Sequence, residues 1–555
     1  MTTADQHVTG ADALLRVLEA WGVDHVFTCP GSTEAAFLEA SHAHPGVRVL
    51  LTTHEAVAVS MADGYARATG RPGVAYLHAN VGLANGIAHL YAAELGRSPV
   101  VLLTGIKPRS LQNRRGFTTT PHMRDSARQH VKSEWQVLRA DALAEDAVRA
   151  LKAAMAAPRG PVWLGIAQDL LEAEVPAPVL DVDRFRVAAR TRPAADAVRA
   201  GAALLADAAR PLVVAGSELA SSGGIEAAVQ LAERLGGPVV AEDRRTFERS
   251  AFPADHPCFA GLYGADRSVL GAADLVVLAG ARSSVPFEPT TTRDLPPDAR
   301  VVHLHPDPDE IARSEGVDVA LVADAALGMA DLVEGLGDHR PRPSATRFLA
   351  DARAEYDDIR VRVLGAPSGT DGVLRVPELM VELAAAADER TTVVGDATTS
   401  GGTLLHAMAT QNVQVHTSSS GSLGWGMGAA LGFALADRSR RVLAVVGDGV
   451  VQFGLPALWS AAHDRIPVTL VVVNNRSYAA VGAALRRYDG TAFRAGRMVG
   501  VDISGPDLAA IAAGFGMASV RVHERAEVKA ALAEWLPRDE PCLIEVLTDP
   551  RDFGP

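Results

Sequence analysis

An aspartate flanked by glycines and a nearby pair of asparagines have the chemistry of a metal site. Asp448 lies between Gly447 and Gly449, and Asn475 follows one strand–helix–strand unit later. Mg²⁺ prefers oxygen ligands such as a carboxylate, an amide oxygen and a backbone carbonyl like that of Ser477, and it keeps part of its shell for phosphates. Glycines let the backbone approach an anion and point amides at it. The pattern predicts a hard cation holding a phosphorylated ligand.

The elements around these residues are expected to bring them together. The apolar run VLAVV predicts a buried strand, LPALWSAAHDR a short amphipathic helix and VTLVVV the next strand. In a right-handed βαβ unit both polar clusters then leave the same sheet edge, where open α/β sheets bind ligands. The alternative is two unrelated turns, because Asp-Gly and Asn-Asn are common turn formers. Their pairing around one βαβ unit favours the cation site.

GDG followed by NN resembles the signature of thiamine-diphosphate-dependent enzymes. The resemblance implies thiamine diphosphate and Mg²⁺ as cofactors, with Asp448, Asn475 and the backbone oxygen of Ser477 as metal ligands. It also implies a glutamate on another α/β domain that activates the aminopyrimidine ring. The segment THEAVAVSMADGYARATGRPGV is similar to the family's text around that glutamate, which points to Glu55. The alternative is that Glu55 only stabilises the first turn of a helix through the helix dipole.

The segment HTSSSGSLGWGMGAALGFALA (416–436) predicts a loop of small residues that leads into a glycine-rich helix. By resemblance, Leu423 supports the bent cofactor and the backbone carbonyl of Gly421 accepts a hydrogen bond from its amino group. A dry, apolar pocket would favour loss of CO₂. The alternative is that Leu423 only packs at the start of the helix.

The order of pyrimidine-binding, central and diphosphate-binding parts resembles the decarboxylase and acetolactate-synthase branch, and the text is most similar to benzoylformate decarboxylases. CPGSTEAAFLEA implies a substrate contact by Ser32, and GVAYLHANVGLANG implies proton transfer by His78, a residue type that titrates near neutrality. Ser32 could instead only cap a helix, and His78 could be structural. A second active-site histidine of these decarboxylases has no counterpart in SSVPFEPTTT, where Phe287 stands.

Short β-branched runs alternate with helical patterns in three blocks, which predicts an α/β protein with three doubly wound parallel-sheet domains. The expected domains are a pyrimidine-binding domain at 1–180, a central domain at 195–335 and a domain for thiamine diphosphate and Mg²⁺ at 345–555. The polar segment around Arg114, Arg115, Arg124 and Arg128 is expected to be a solvated loop, although it could contact an anionic substrate group.

Composition excludes several other functions. A formal net charge of −13 argues against nucleic acid as a partner. Three scattered cysteines argue against a disulfide framework, no apolar run is long enough for a membrane span, and the polar first residues lack a secretion signal. A cytoplasmic location is therefore expected.

These observations together predict an enzyme, a thiamine-diphosphate-dependent lyase that converts a 2-oxo acid into an aldehyde and CO₂. The alternative is a carboligase, like acetolactate synthase, that transfers the enamine intermediate to a second carbonyl compound. An alternative from another class is a non-catalytic binding protein that retains the fold. Because the resemblance places Glu55 and the metal loop on different subunits, a homodimer or homotetramer with active sites at the subunit interface is expected.

Overall fold

The computed structural model describes residues 7–178, 181–187, 189–264, 267–283, 295–365 and 373–550. It contains three six-stranded parallel sheets flanked by helices, so the predicted fold class is confirmed. With strands counted in chain order within each sheet, the first and third sheets share the order 2-1-3-4-6-5, whereas the central sheet has the order 3-2-1-4-5-6. Each order reverses direction beside its first strand, and ligands of open α/β sheets bind at such reversals.

The first sheet has the order β3-β2-β4-β5-β7-β6, and a short antiparallel pair lies beside it. Its first helix buries the apolar face expected from the sequence, with Leu14, Val17, Leu18 and Trp21 inside. The strands are β1 (His7–Thr9), β2 (His25–Cys29), β3 (Arg48–Leu51), β4 (Gly73–His78), β5 (Val100–Ile106), β6 (Ser133–Gln136), β7 (Val162–Ala167) and β8 (Glu174–Pro176). The helices are α1 (Gly10–Trp21), α2 (Ala35–Ser41), α3 (Glu55–Thr69), α4 (Ala79–Leu95), α5 (Arg109–Gln112), α6 (Met123–Arg128), α7 (Leu143–Met155) and α8 (Gln168–Glu172).

The central sheet has the order β11-β10-β9-β12-β13-β14. The long helix that follows its last helix packs on it, since Glu355 accepts a hydrogen bond from Arg267 at 3.0 Å. The strands are β9 (Pro211–Ala215), β10 (Val239–Ala241), β11 (Phe259–Leu262), β12 (Leu275–Ala279), β13 (Arg300–His305) and β14 (Val319–Val322). The helices are α9 (Ala195–Asp207), α10 (Ser217–Ser222), α11 (Ile225–Leu235), α12 (Ala325–Leu336) and α13 (Pro343–Leu364).

The third sheet has the order β16-β15-β17-β18-β20-β19 and so repeats the topology of the first. The strands are β15 (Thr391–Asp396), β16 (Gln414–Thr417), β17 (Arg441–Gly447), β18 (Thr469–Asn474), β19 (Ala518–Val522) and β20 (Cys542–Leu547). The helices are α14 (Val376–Ala386), α15 (Gly401–Met408), α16 (Trp425–Ala436), α17 (Asp448–Gly454), α18 (Pro456–His463), α19 (Ala479–Tyr488), α20 (Thr491–Arg494), α21 (Leu508–Gly514) and α22 (Arg525–Trp535).

Two helices join the first and third sheets through a glycine-lined contact. A methyl group on Gly64 of α3 would overlap the backbone of Ala429, and one on Gly428 of α16 would overlap Ser60. At the end of this contact, buried Arg67 pairs with Asp63 at 2.8 Å and also reaches the central domain and the third. The two outer domains therefore share one core.

The polar segment after β5 is more ordered than the expected solvated loop. It contains α5, α6 and the edge strand β6, and Arg124 and Arg128 face Glu134 at 3.1 and 3.8 Å. Arg114 and Arg115 are exposed. The prediction of a loop was wrong for β6. SEWQ forms an edge strand but contains no apolar run that would have indicated a strand. Within the described ranges, no helix is both long and apolar enough to cross a membrane.

Candidate active site

Asp448 lies where β17 gives way to α17, at the edge of the third sheet. Its side chain is buried, and its Oδ1 accepts a hydrogen bond from the amide of Gly449 at 2.9 Å. Its Oδ2 is buried and has no hydrogen-bond partner among the described residues. Burial raises the pKa of this carboxyl to about 6. A cation beside Oδ2 would satisfy the unpaired oxygen and favour the charged form.

Asn475 follows the neighbouring strand, β18, and both asparagines form turns. Asn474 Oδ1 accepts from the amide of Arg476, and Asn475 Oδ1 accepts from the amide of Ser477, each at 3.0 Å. Arg476 has a left-handed backbone, with φ of +59°, an unusual conformation for a residue other than glycine. The turn interpretation from the sequence thus describes the local backbone. It leaves a second lone pair on each amide oxygen, so it does not exclude a metal contact.

These loops enclose one pocket of about 420 Å³ at the carboxyl edge of the third sheet. The other walls come from residues after β15, from Phe453 and Val473, and from the start of α19. The pocket holds all the cofactor-binding residues predicted from the sequence: Gly421, Leu423, Gly447, Asp448, Gly449, Asn475 and Ser477. The pocket offers a carboxylate oxygen with no described partner, together with amide and carbonyl oxygens. It also has a glycine where a side chain would not fit, since a Cβ on Gly449 would lie 2.7 Å from Tyr478. These groups fit a hard cation with a phosphorylated ligand.

The loop between β16 and α16 closes one side of this pocket. Gly421 is exposed, and its left-handed backbone, with φ of +67°, suits glycine. Leu423 is half-buried and packs against the core shared by the first and third domains. Its carbonyl lies 3.3 Å from Nε2 of His89, whose Nδ1 lies 2.7 Å from the carbonyl of Ala56. Buried His89 therefore links this loop to the first turn of α3.

Glu55 is the first residue of α3, at the carboxyl edge of the first sheet. The side chain of His54 caps the helix by accepting from the amide of Ala56. Glu55 Oε2 accepts from Nδ2 of Asn85 at 3.0 Å, and a Cβ on Gly82 would lie 3.3 Å from the Glu55 side chain. The carboxylate thus has a side-chain partner in addition to its place at the helix start. Asn85 and Gly82 hold it against α4.

His78 ends β4 and is held by the turn that follows β2. Its Nδ1 lies 2.9 Å from Oε2 of buried Glu34 and 2.9 Å from the hydroxyl of Thr33, which also donates to Glu34. A Cβ on Gly31 would lie 2.5 Å from the imidazole ring, so glycine is required there. Ala79, the next residue, has a left-handed φ of +49°. This packing orients His78 through Nδ1 and leaves Nε2 for another partner.

Ser32 is exposed in the same turn and does not cap a helix. The turn begins at Gly31 with no side-chain cap, and the hydroxyl of Ser32 accepts a hydrogen bond from Nζ of Lys107 at 2.9 Å. Lys107 directly follows β5, and no described carboxylate lies within ion-pair distance of its ammonium group. The edge of the first sheet therefore combines a hydroxyl, a cation and an oriented imidazole.

Two carboxylates give this edge an acidic character. The pKa of the Cys29 thiol, at the end of β2, is raised to about 11 by burial and by the negative charges of Glu55 and Glu34. Glu34 and Lys107 were not anticipated from the sequence. The available signal was positional, because each lies within a few residues of a strand end at the same sheet edge as Ser32 and His78.

The structure brings the predicted residues into two groups rather than one. Glu55, His78 and Ser32 lie at the edge of the first sheet, whereas the described lining of the pocket around Asp448 comes only from the third domain. Phe287, which stands roughly where these decarboxylases have a second active-site histidine, lies outside the described residues.

Comparisons with known proteins agree with this arrangement of domains. Three family models of the thiamine pyrophosphate enzymes match the chain: the N-terminal TPP binding domain at residues 8–127, the central domain at 198–332 and the C-terminal TPP binding domain at 394–546. The chain belongs to the thiamine pyrophosphate enzymes, and it binds thiamine diphosphate as its cofactor.

Relatives within this family are both decarboxylases and acetolactate synthases. Benzoylformate decarboxylase from Pseudomonas aeruginosa is 32% identical over 550 residues, which cover 97% of this chain and 98% of the relative. The acetolactate synthase large subunit of Parasynechococcus marenigrum is 27% identical, with 98% and 88% covered. The solved 4-hydroxybenzoylformate decarboxylase of Rhodococcus jostii superposes with a TM-score of 0.85 at 25% identity, covering 98% and 99% of the chains. The protein is accordingly an enzyme of the decarboxylase and acetolactate-synthase group.

Proposed function

We propose that this enzyme uses thiamine diphosphate and Mg²⁺ to decarboxylate a 2-oxo acid without oxidation, releasing an aldehyde and CO₂. The observation that carries the proposal is the grouping of an oriented imidazole, His78, with the Ser32–Lys107 pair at one sheet edge. Such a group can bind a carboxylate and move a proton beside it. The net change is loss of CO₂ from the acid and gain of one proton by the carbonyl carbon.

The third domain would hold the cofactor through its diphosphate. Asp448, the amide oxygen of Asn475 and the backbone oxygen of Ser477 would bind Mg²⁺, while Gly447 and Gly449 of the same pocket would let the backbone approach the phosphates closely. When bound, thiamine diphosphate supplies the electron sink that stabilises the charge left by the departing CO₂.

The same domain would shape the rest of the cofactor site. Leu423 would support the cofactor on its apolar side, and the carbonyl of Gly421 would accept from its amino group. Apolar residues such as Phe453 and Val473 line that side of the pocket and would help to exclude water once the cofactor is bound.

The first domain would supply the proton transfers and the substrate contacts. Glu55, held by Asn85, would exchange a proton with the aminopyrimidine ring. Ser32 and Lys107 would bind the carboxylate of the 2-oxo acid through a hydroxyl and an ammonium group. Nε2 of His78, which has no hydrogen-bond partner in the described part of the chain, would deliver the proton that the product carbon gains.

The two groups would meet between subunits. The described lining of the cofactor pocket contains no residue of the first domain, so Glu55 and His78 of one chain would complete the pocket of another. A homodimer is the smallest assembly that closes both sites, and a homotetramer would be a pair of such dimers.

A carboligase is the second candidate, because acetolactate synthases are among the relatives that cover nearly the whole chain. In that reaction the fragment left after loss of CO₂ would join a second carbonyl compound instead of taking a proton. His78 would then hold a proton for the new hydroxyl group.

The test is turnover by the purified protein with thiamine diphosphate and Mg²⁺. A panel of aromatic, aliphatic and acidic 2-oxo acids is followed by CO₂ release and product analysis, first alone and then with an added aldehyde. Aldehyde formed from one substrate supports decarboxylation, and a hydroxyketone as the main product supports the carboligase. No turnover with any member, while calorimetry shows that the cofactor binds, would overturn both in favour of a binding protein.

A further inference from the structure

A second large cavity lies where the three domains meet, and we call it the junction cavity. Its volume is about 610 Å³, within the usual range for small-molecule sites. One wall is the edge strand β16, to which the central segment 248–250 is hydrogen-bonded: Ser250 donates to the carbonyl of Val415, and Thr417 donates to that of Glu248, each at 2.9 Å. No described residue lines both this cavity and the pocket around Asp448.

The walls of the junction cavity are about equally polar and apolar, and they include aromatic rings from two domains. The central domain contributes Phe247, Phe252 and Phe259, and the third domain contributes Phe433, whose ring lies 4.4 Å from that of His416. Sites for small organic molecules combine such walls with a few polar groups that fix orientation.

The polar lining of this cavity includes two arginines and a histidine that could bind an anion. Arg249 lines it, with no described carboxylate in ion-pair contact, and its Nε is buried without a hydrogen-bond partner among the described residues. The Nδ1 of buried His416 is also without one. Arg440 donates to the hydroxyl of Thr392 and the carbonyl of Thr391 rather than to an acid.

The other charged groups near the junction cavity form no ion pair with Arg249 among the described residues, although the carboxylates of Glu218, Glu248 and Asp63 lie near enough to attract it. Arg67 also lines the cavity, but Asp63 and Glu248 pair with it at 2.8 Å. The carboxylates among the lining residues, Glu389 and Asp437, are exposed. Burial and the nearby charge of Arg67 lower the pKa of Arg249 to about 10, while nearby carboxylates oppose this shift, so the guanidinium stays charged at neutral pH.

We propose that the junction cavity is a binding site for a small organic anion, separate from the active site. Its carboxylate or phosphate group pairs with Arg249, since a guanidinium group matches the planar oxygens of such anions. Arg440 adds a second positive charge, and the apolar or aromatic body of the anion packs against the phenylalanine rings. Such a ligand would contact all three domains at once.

The test measures binding to the holoenzyme, kept saturated with thiamine diphosphate and Mg²⁺ so that phosphate probes do not enter the cofactor pocket. The probes are phenyl phosphate, benzoate and inorganic phosphate, titrated by calorimetry. We expect one phenyl phosphate or benzoate per chain, and weaker binding of inorganic phosphate, which lacks the apolar body. Arg249→Met should weaken phenyl phosphate binding about tenfold or more, as expected for losing a charge-assisted contact.

Two further variants distinguish the loss of this binding site from nonspecific effects of removing a positive charge. Arg244→Met removes an exposed arginine shortly before the segment 248–250 and should leave the affinity unchanged. Arg440→Met should weaken binding even if Arg249→Met fails to fold. Absence of binding by the wild type, or equal affinity in the wild type and in folded Arg249→Met or Arg440→Met, would overturn the proposal. Inorganic phosphate binding as tightly as phenyl phosphate would overturn the assignment to an organic anion.

Discussion

Oε2 of Glu34 lies 2.9 Å from Nδ1 of His78, and the same oxygen accepts the backbone amide of Gly31 at 2.7 Å. Glu34 is completely buried, so this contact links the turn after β2 to the end of β4 across the reversal point of the first sheet. A buried acceptor on one imidazole nitrogen determines which tautomer faces the substrate. Glu34 is thus a positioning residue for His78.

Glu34→Gln should lower kcat by about 100-fold and change KM little, because the imidazole loses its orientation while the carboxylate-binding pair remains. Steady-state kinetics on the best 2-oxo acid measure both constants. Glu39→Gln, an exposed glutamate of the adjacent helix, is the matched control and should behave as wild type. If Glu34→Gln lowers the amount of folded protein but leaves kcat per folded active site unchanged, Glu34 has a purely structural role.

Lys107→Met should raise KM about tenfold or more and affect kcat less, because a charge-assisted contact to the substrate carboxylate is lost. Lys107→Arg keeps the charge and should recover part of the affinity. Lys152→Met, at an exposed lysine of α7, provides the control. Unchanged KM in Lys107→Met across the panel would remove Lys107 from the substrate site.

Mixing two inactive variants tests whether active sites form between subunits. Glu55→Ala and Asp448→Ala should each lose at least 100-fold in activity when pure. A hybrid of the two chains would contain one site with both changes and one site with neither, so activity should return when they are refolded or co-expressed together. No recovery in hybrids proven by mass measurement would place both residues in a site formed within one chain.

Asp396 should make stability depend on pH in a specific direction. Burial raises its pKa to about 6, above the ordinary value of 3.8, so the folded state holds this proton more tightly than the unfolded state. The stabilising contribution is complete below about pH 4 and is lost as the pH rises through 6, by up to about 3 kcal/mol at roughly 1.4 kcal/mol per pKa unit.

Calorimetric Tm values of Asp396→Asn and wild type from pH 4.5 to 7.5 measure this effect. Asn can still accept from the amide of Gly426, so the variant should gain stability relative to wild type as the pH rises. Asp351→Asn, at an exposed residue of α13, should show a constant difference from wild type. A constant difference for Asp396→Asn as well would contradict the prediction.

Strong apolar runs in the sequence predicted most of the strands, whereas strands with a weak apolar pattern were not predicted. VLAVV and VTLVVV lie in central strands that are buried on both faces, so their composition alone indicates strands. SEWQ and QVHT form the edge strands β6 and β16, and these segments are extended because each pairs with one neighbouring strand. Composition cannot show that pairing.

The sequence by itself predicted the fold class, the cofactor family and seven of the residues that line the pocket around Asp448. Those residues lie at strand ends or in the loops after them, in motifs with narrow chemical requirements, so their types and spacing were informative. Only the tertiary structure revealed Glu34 behind His78, Lys107 beside Ser32, and Arg249 at the junction of three domains with no ion-pair partner among the described residues. These contacts join segments far apart in the chain, and a side chain's partner across such a distance depends on how the sheets and domains pack.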